Sequence, residues 1–151
     1  MKILAKNKKA SFDYELRETL EAGIVLTGQE VKSVKNGWAS LKGAYVVLLS
    51  SGEVHLINAY IPPYQPANTP PGYQPDRSRQ LLLTRKEIQA LSHQLKQTGL
   101  TLLPLKLYNK NGKIKVEIAL ARGKKEFDKR EKIKKREVNQ KIRRALKNWG
   151  R

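Results

Sequence analysis

The stretch that most constrains this chain is "LTLLPLKLYNKNGKIKVEIALARG", Leu100 to Gly123. Leu103, Leu105 and Leu107 fall at every second position, "NKNG" occupies Asn109 to Gly112, and Ile114, Val116, Ile118 and Leu120 resume the alternation. A period of two sends successive side chains to opposite faces of a strand, and an Asn-Gly pair supplies the turn. The segment predicts a long antiparallel hairpin with one apolar face, which other strands must cover. Pro104 has no N–H to give a ladder, so it is expected to point outward or to lie on an edge.

The rest of the body follows the same logic. Phe12, Tyr14 and Leu16 alternate with polar residues, and "GIVL", Gly23 to Leu26, follows a short turn, which gives two more strands. "AYVVLLSSGEVHLINAYI" is two apolar runs broken at Ser51-Gly52, a second hairpin. "GQEVKSVKNG", Gly28 to Gly37, sets Val31 and Val34 three apart between glycines and reads as one or two helical turns. Thr84 with Glu87 makes a capping box, Ile88, Leu91 and Leu95 form an apolar stripe, and Gly99 ends that helix. Six of the seven prolines lie between Pro62 and Pro75, which requires a long exposed loop. These elements predict a mainly β fold: a closed, OB-type antiparallel barrel with about three helices, residues 1–122, followed by a basic C-terminal tail, residues 123–151.

Charge sets the class of partner. The tail carries thirteen Lys/Arg against four Asp/Glu, a net of +9 and half of the chain's +18. Such an excess points to a polyanion, and nucleic acid is the common soluble one. No apolar run approaches the length of a membrane span, and the N-terminus has too few apolar residues for a signal peptide. A cytoplasmic monomer with no membrane partner is expected.

Catalytic and metal chemistry find no footing in the sequence. There are no cysteines, and His55 and His93 stand on a strand and a helix without carboxylates at ligand spacing, so no metal, cofactor or small-molecule substrate is expected. Neither a phosphate-binding glycine loop nor a G-x-S-x-G motif is present, and the expectation is a protein that is not an enzyme.

Three constellations suit RNA. "KNKK", Lys6 to Lys9, offers phosphate contacts or is simply a charged terminus. Glu30, Lys32 and Lys35 share the short helix, either as contacts or as a solvated face. Tyr60, Tyr64, Arg77 and Arg79 combine aromatics that stack on bases with guanidiniums that grip phosphates, although tyrosines also anchor loops.

Taken in order, "NKKASFDYEL", "EAGIVLTGQEVKSVKNG", "NAYIPPY", "RSRQLLL", "LTLLPLKLY" and "LARGKKEFDKRE" resemble the SsrA-binding protein family, small protein B, over nearly the whole chain. The resemblance implies a non-catalytic protein that binds transfer-messenger RNA and helps deliver it to stalled ribosomes for trans-translation. It carries RNA contact over to Asn7, Lys8, Glu30, Lys32, Lys35, Asn58, Tyr60, Arg77 and Arg79. It also implies that the tail occupies the empty mRNA path of the small subunit, at ribosomal RNA of the decoding centre, through Phe127, Asp128, Lys129, Arg130, Lys134, Lys135 and Arg136, and is helical when bound there. Gln80 and Thr84 depart from the basic residue and the His that relatives usually carry at those places. A ribosomal or ribosome-assembly RNA-binding protein is the first alternative, and a small ribonuclease the second.

Overall fold

The computed structural model describes residues 1–97 and 99–123 and, in the tail, Arg136, Glu137, Gln140 and Arg143. Seven strands and three α-helices make up the body: β1 (Lys2–Lys6), α1 (Ala10–Asp13), β2 (Tyr14–Ile24), α2 (Gly28–Lys35), β3 (Tyr45–Leu48), β4 (Val54–Ile57), β5 (Arg79–Leu82), α3 (Arg85–Gln94), β6 (Leu100–Lys110) and β7 (Lys113–Gly123). Neighbours run in the order β1-β6-β3-β4-β5-β2-β7, and β6 also pairs with β7, so six strands close into a ring with β1 laid on β6. Every pairing is antiparallel.

The hairpin predicted from the alternation is β6–β7. Lys110 pairs with Lys113 across a two-residue turn in which Asn111 (φ 52) and Gly112 (φ 80) are both left-handed. Asparagine and glycine are the residues that reach that region at least cost. Ile114, Val116, Ile118 and Leu120 are all buried in one core with Leu56, Leu91 and Leu102.

The leucines of β6 divide between two cores, contrary to the single face expected. Pro104 pairs with Ile118 and Lys106 with Glu117, so Leu105 is an inserted residue, a β-bulge. Leu102 and Leu107 enter the main core, while Leu103 and Leu105 pack with Ala10 and Ala121 in a smaller cluster beneath α1. Pro104 is correspondingly buried and not outward. It is tolerated because β3 meets this flank at Leu102 and β1 begins pairing at Lys106, leaving Pro104 between two partners. Its carbonyl accepts from Asn7 Nδ2 at 2.9 Å.

Two other expectations change at the N-terminal end. Phe12 lies in the helical turn α1, and Tyr14–Ile24 is one eleven-residue strand with a bulge between Leu16 and Glu18, not two strands. The chain keeps going straight because β7 pairs with it from Gly123 back to Lys115, a partner no local pattern reveals. Strand β1, five residues that are all exposed or only partly buried, is equally silent in the sequence and is fixed by its pairing with β6.

α3 starts at the capping box its sequence predicts, and α2, read only from its spaced valines, starts at a second one. Thr27 and Glu30, and Thr84 and Glu87, form complete capping boxes at α2 and α3. Ile118 is fully buried at the middle of β7. Ile118→Ala is expected to lower stability by about 2–5 kcal/mol in urea denaturation, the usual range for a truncated core aliphatic.

Candidate nucleic-acid interface

The first turn of α2 organises the site. Thr27 Oγ1 accepts from the Glu30 N–H at 3.2 Å, and Glu30 Oε1 accepts from the Thr27 N–H at 2.9 Å, which folds the Glu30 side chain back toward the ring. There it meets two arginines from the far end of the proline-rich loop and β5. Arg77 donates to it through Nε at 3.1 Å and through Nη2, and Arg79 through Nε at 3.0 Å and Nη2 at 2.5 Å. Arg79 Nη1 reaches the Ala59 carbonyl at 2.7 Å, and the Tyr73 hydroxyl donates to the Ile61 carbonyl at 2.8 Å beside the same carboxylate. One helix, one strand and both ends of the loop are tied together at a single acid.

Two of the residues carried over as RNA contacts lie inside this cluster. Glu30 is 1% exposed and Arg79 0%, so neither side chain faces solvent. A lone buried charge costs several kcal/mol, whereas one carboxylate shared by two guanidiniums satisfies its acceptors. Only Arg77, with a third of its side chain exposed, extends from the cluster to the surface. Burial raises the pKa of Glu30, but hydrogen bonds from Arg77, the Thr27 N–H and Arg79 outweigh it and hold the carboxyl below its ordinary value.

The outer side of α2 carries the exposed cations. Lys32 and Lys35 are both exposed, and the Lys32 ammonium lies 5.5 Å from the centre of the Tyr64 ring. Tyr64 in turn stacks on Trp38 at 5.9 Å between centroids. The loop is fastened to this face by Ser33 Oγ donating to the Pro62 carbonyl at 2.7 Å and Gln29 Nε2 donating to the Asn68 carbonyl at 3.0 Å. Tyr60 is exposed and bridges Ser40 through backbone hydrogen bonds, and Asn58, also exposed, has a left-handed φ of 62.

From Trp38 the chain runs on into a basic cleft. Lys6, Asn7, Lys8, Lys9, Ser40 and Lys42 line one part of it, and the adjoining part, about 520 Å³, extends to Asp13 and Tyr45. "KNKK" is thus a shaped surface anchored by Asn7, whose N–H also donates to the Leu105 carbonyl at 2.8 Å. Trp38 and Lys42 were not selected from the sequence. Their signal is weak, since each simply follows or precedes a glycine, Gly37 and Gly43, that turns the chain.

Elsewhere Thr84 serves as the α3 cap and Gln80 pairs opposite His55. Phe127, Asp128, Lys129, Arg130, Lys134 and Lys135 lie outside the described residues. Arg136 is exposed and helical, with its guanidinium 5.8 Å from the centre of the Phe12 ring. Among the described residues no group of three His, Cys, Asp or Glu could hold a metal, and no helix is long and apolar enough to cross a membrane.

The fold and this surface define a small basic protein that presents lysines, one arginine and stacked aromatics from the outside of a closed ring of strands. The family model described as SmpB protein matches residues 4–148, and the chain belongs to that family. It is 51% identical over 148 residues to the SsrA-binding protein of Streptococcus agalactiae, covering 98% of this chain and 94% of the relative. With the SsrA-binding protein of Fervidobacterium nodosum it shares 50% identity over 148 residues, covering 97% and 98%. A solved structure described as "tmRNA-SmpB: a journey to the center of the bacterial ribosome" is similar with a TM-score of 0.65 and 43% identity, covering 80% of this chain and 84% of that one.

Because the buried Glu30 carboxylate is paired with Arg77 and with the fully buried Arg79, Glu30→Ala is expected to cost about 3–5 kcal/mol in chemical denaturation. Lys32→Ala, two residues on but exposed, is expected to stay within about 0.5 kcal/mol. Glu30 is lowered in the folded state relative to the unfolded chain, so its contribution is present above the ordinary carboxylate range and is lost as pH falls below it. Acid denaturation of the wild type and of Glu30→Gln should therefore converge at low pH.

Proposed function

We propose that this protein binds transfer-messenger RNA and brings it to ribosomes stalled without a stop codon, as a binding protein and not an enzyme. The observation that carries the reading is the family match over residues 4–148, joined to relatives near 50% identity that are SsrA-binding proteins. A similar solved chain described together with tmRNA and the ribosome supports it. The closed ring of short antiparallel strands is read as an OB-type barrel, an architecture that binds nucleic acid on its outer face. The protein acts as a monomer in the cytoplasm.

Asn7, Lys8, Lys32, Lys35, Asn58, Tyr60 and Arg77 are proposed as the RNA contacts on the body, all of them at least partly exposed. Glu30 and Arg79 take a different role from the direct contact first expected. They position Arg77, whose guanidinium keeps a fixed orientation because two of its nitrogens are committed to the carboxylate. The tail from residue 123 is proposed to enter the empty mRNA path, helical when bound, with Phe127 stacking near the decoding centre, Asp128 pairing locally, and Lys129, Arg130, Lys134, Lys135 and Arg136 on phosphates.

Electrophoretic binding and reconstituted peptide tagging separate the two parts. If about five phosphates are neutralised, log K against log salt should fall with a slope of roughly −3 to −5. Arg77→Ala should weaken binding and reduce that slope by about 1. A chain ending at Gly123 should keep most of its affinity for transfer-messenger RNA and lose tagging. Equal affinity for ribosomal RNA fragments and transfer-messenger RNA would overturn the assignment of the RNA, and normal tagging by the truncated chain would overturn that of the tail.

A further inference from the structure

Trp38, which stacks on Tyr64, lies outside every RNA contact assigned so far. Helix α2 ends at Asn36, where Gly37 (φ 78) turns the chain left-handed; the Gly37 N–H donates to the Val34 carbonyl at 2.9 Å and the Trp38 N–H to the Ser33 carbonyl at 3.2 Å. Those two bonds form the helix-ending motif in which the residue after the glycine usually packs back on its own helix. Trp38 instead stacks on Tyr64, with an interplanar angle of 29°, and leaves 49% of its surface exposed. Tyr64 follows Pro62 and Pro63, and the Pro62 carbonyl is held by Ser33 Oγ. Backbone geometry therefore holds both rings in place on the protein's outside.

We propose that Trp38 and Tyr64 form a stacking platform for one unpaired base of the bound RNA. The reading rests on the RNA-binding function above and adds a base contact to it. An exposed indole has a free π-face, and bases of any identity stack on such a face. Charge selects RNA over an apolar protein surface: the Lys32 ammonium lies 5.5 Å from the centre of the Tyr64 ring, Lys35 is exposed on the same helix, and Glu30, the one acid of α2, is buried and neutralised. A base stacked on this pair has the Lys32 ammonium beside it for its phosphate.

Trp149 is the only other tryptophan, so the full chain carrying Trp149→Phe reports on Trp38 alone. Titration with transfer-messenger RNA should quench its fluorescence, whereas a perfectly paired RNA duplex of similar length should leave it unchanged. Trp38→Ala should weaken binding about five- to 100-fold without changing the salt slope, because a neutral contact releases no counterions. Trp38→Phe should restore most of the loss, and Lys32→Ala should lower the slope by about 1. If wild type binds RNA and Arg77→Ala weakens it while Trp38→Ala does not, the platform is wrong and the RNA-binding reading stands. Absence of binding by the wild type overturns both. Quenching by RNA-free small-subunit proteins but not by RNA would assign the rings to a protein partner and overturn the proposal.

Discussion

The buried carboxylate of Glu30 ties together parts of the chain that lie far apart in sequence. It lies 47 residues from Arg77 and 49 from Arg79, and between them runs the proline-rich loop. That loop has few ways to satisfy its own backbone, since six prolines leave it short of donors. It borrows order from α2 through Ser33 and Gln29, its two ends are joined by the Tyr73–Ile61 contact, and α2 is itself held against β5 by the ion cluster. Without the acid the buried Arg79 guanidinium would be left uncompensated beside the partly exposed Arg77, so the ion cluster helps keep α2, the loop and β5 together.

The same cluster sorts charge between structure and surface. Glu30 accepts from its own capping Thr27 and from both arginines, so it has no acceptor capacity directed outward. Arg79 is spent inside on Glu30 and the Ala59 carbonyl. What reaches the outside is cationic or aromatic: Arg77 in part, Lys32, Lys35, Trp38 and Tyr60. A polyanion approaching α2 meets no carboxylate from this cluster, which favours long-range attraction and leaves short-range selection to hydrogen bonds and stacking.

Bulges give the ring its second, smaller core. Inserting Leu105 in β6 moves Leu103 and Leu105 under α1 while Leu102 and Leu107 stay in the main core. The alanines on the opposite face of β7, Ala119 and Ala121, are small enough for that covering to come close. Asn7 bonds to the Pro104 and Leu105 carbonyls at this bulge, and the lysines around Asn7 line the cleft. A local irregularity in the sheet thereby fixes the position of a basic surface.

Much of this was legible from the sequence because its causes are local. The β6–β7 hairpin follows from alternation and Asn-Gly, the β3–β4 hairpin from a break at Ser51-Gly52, and the start of α3 from its Thr84–Glu87 box, each set by residues within a few positions of one another. The basic excess and the aromatic-arginine mixture also needed no coordinates to point toward a polyanion. Strand β1, the unbroken run of β2 and the burial of Pro104 depend on partners far along the chain, and only the closed ring decided them. So it was with Glu30 and Arg79: spacing showed an acid among bases, but whether they face water or each other depends on desolvation, which is a property of the packed structure and has no signature in the order of residues.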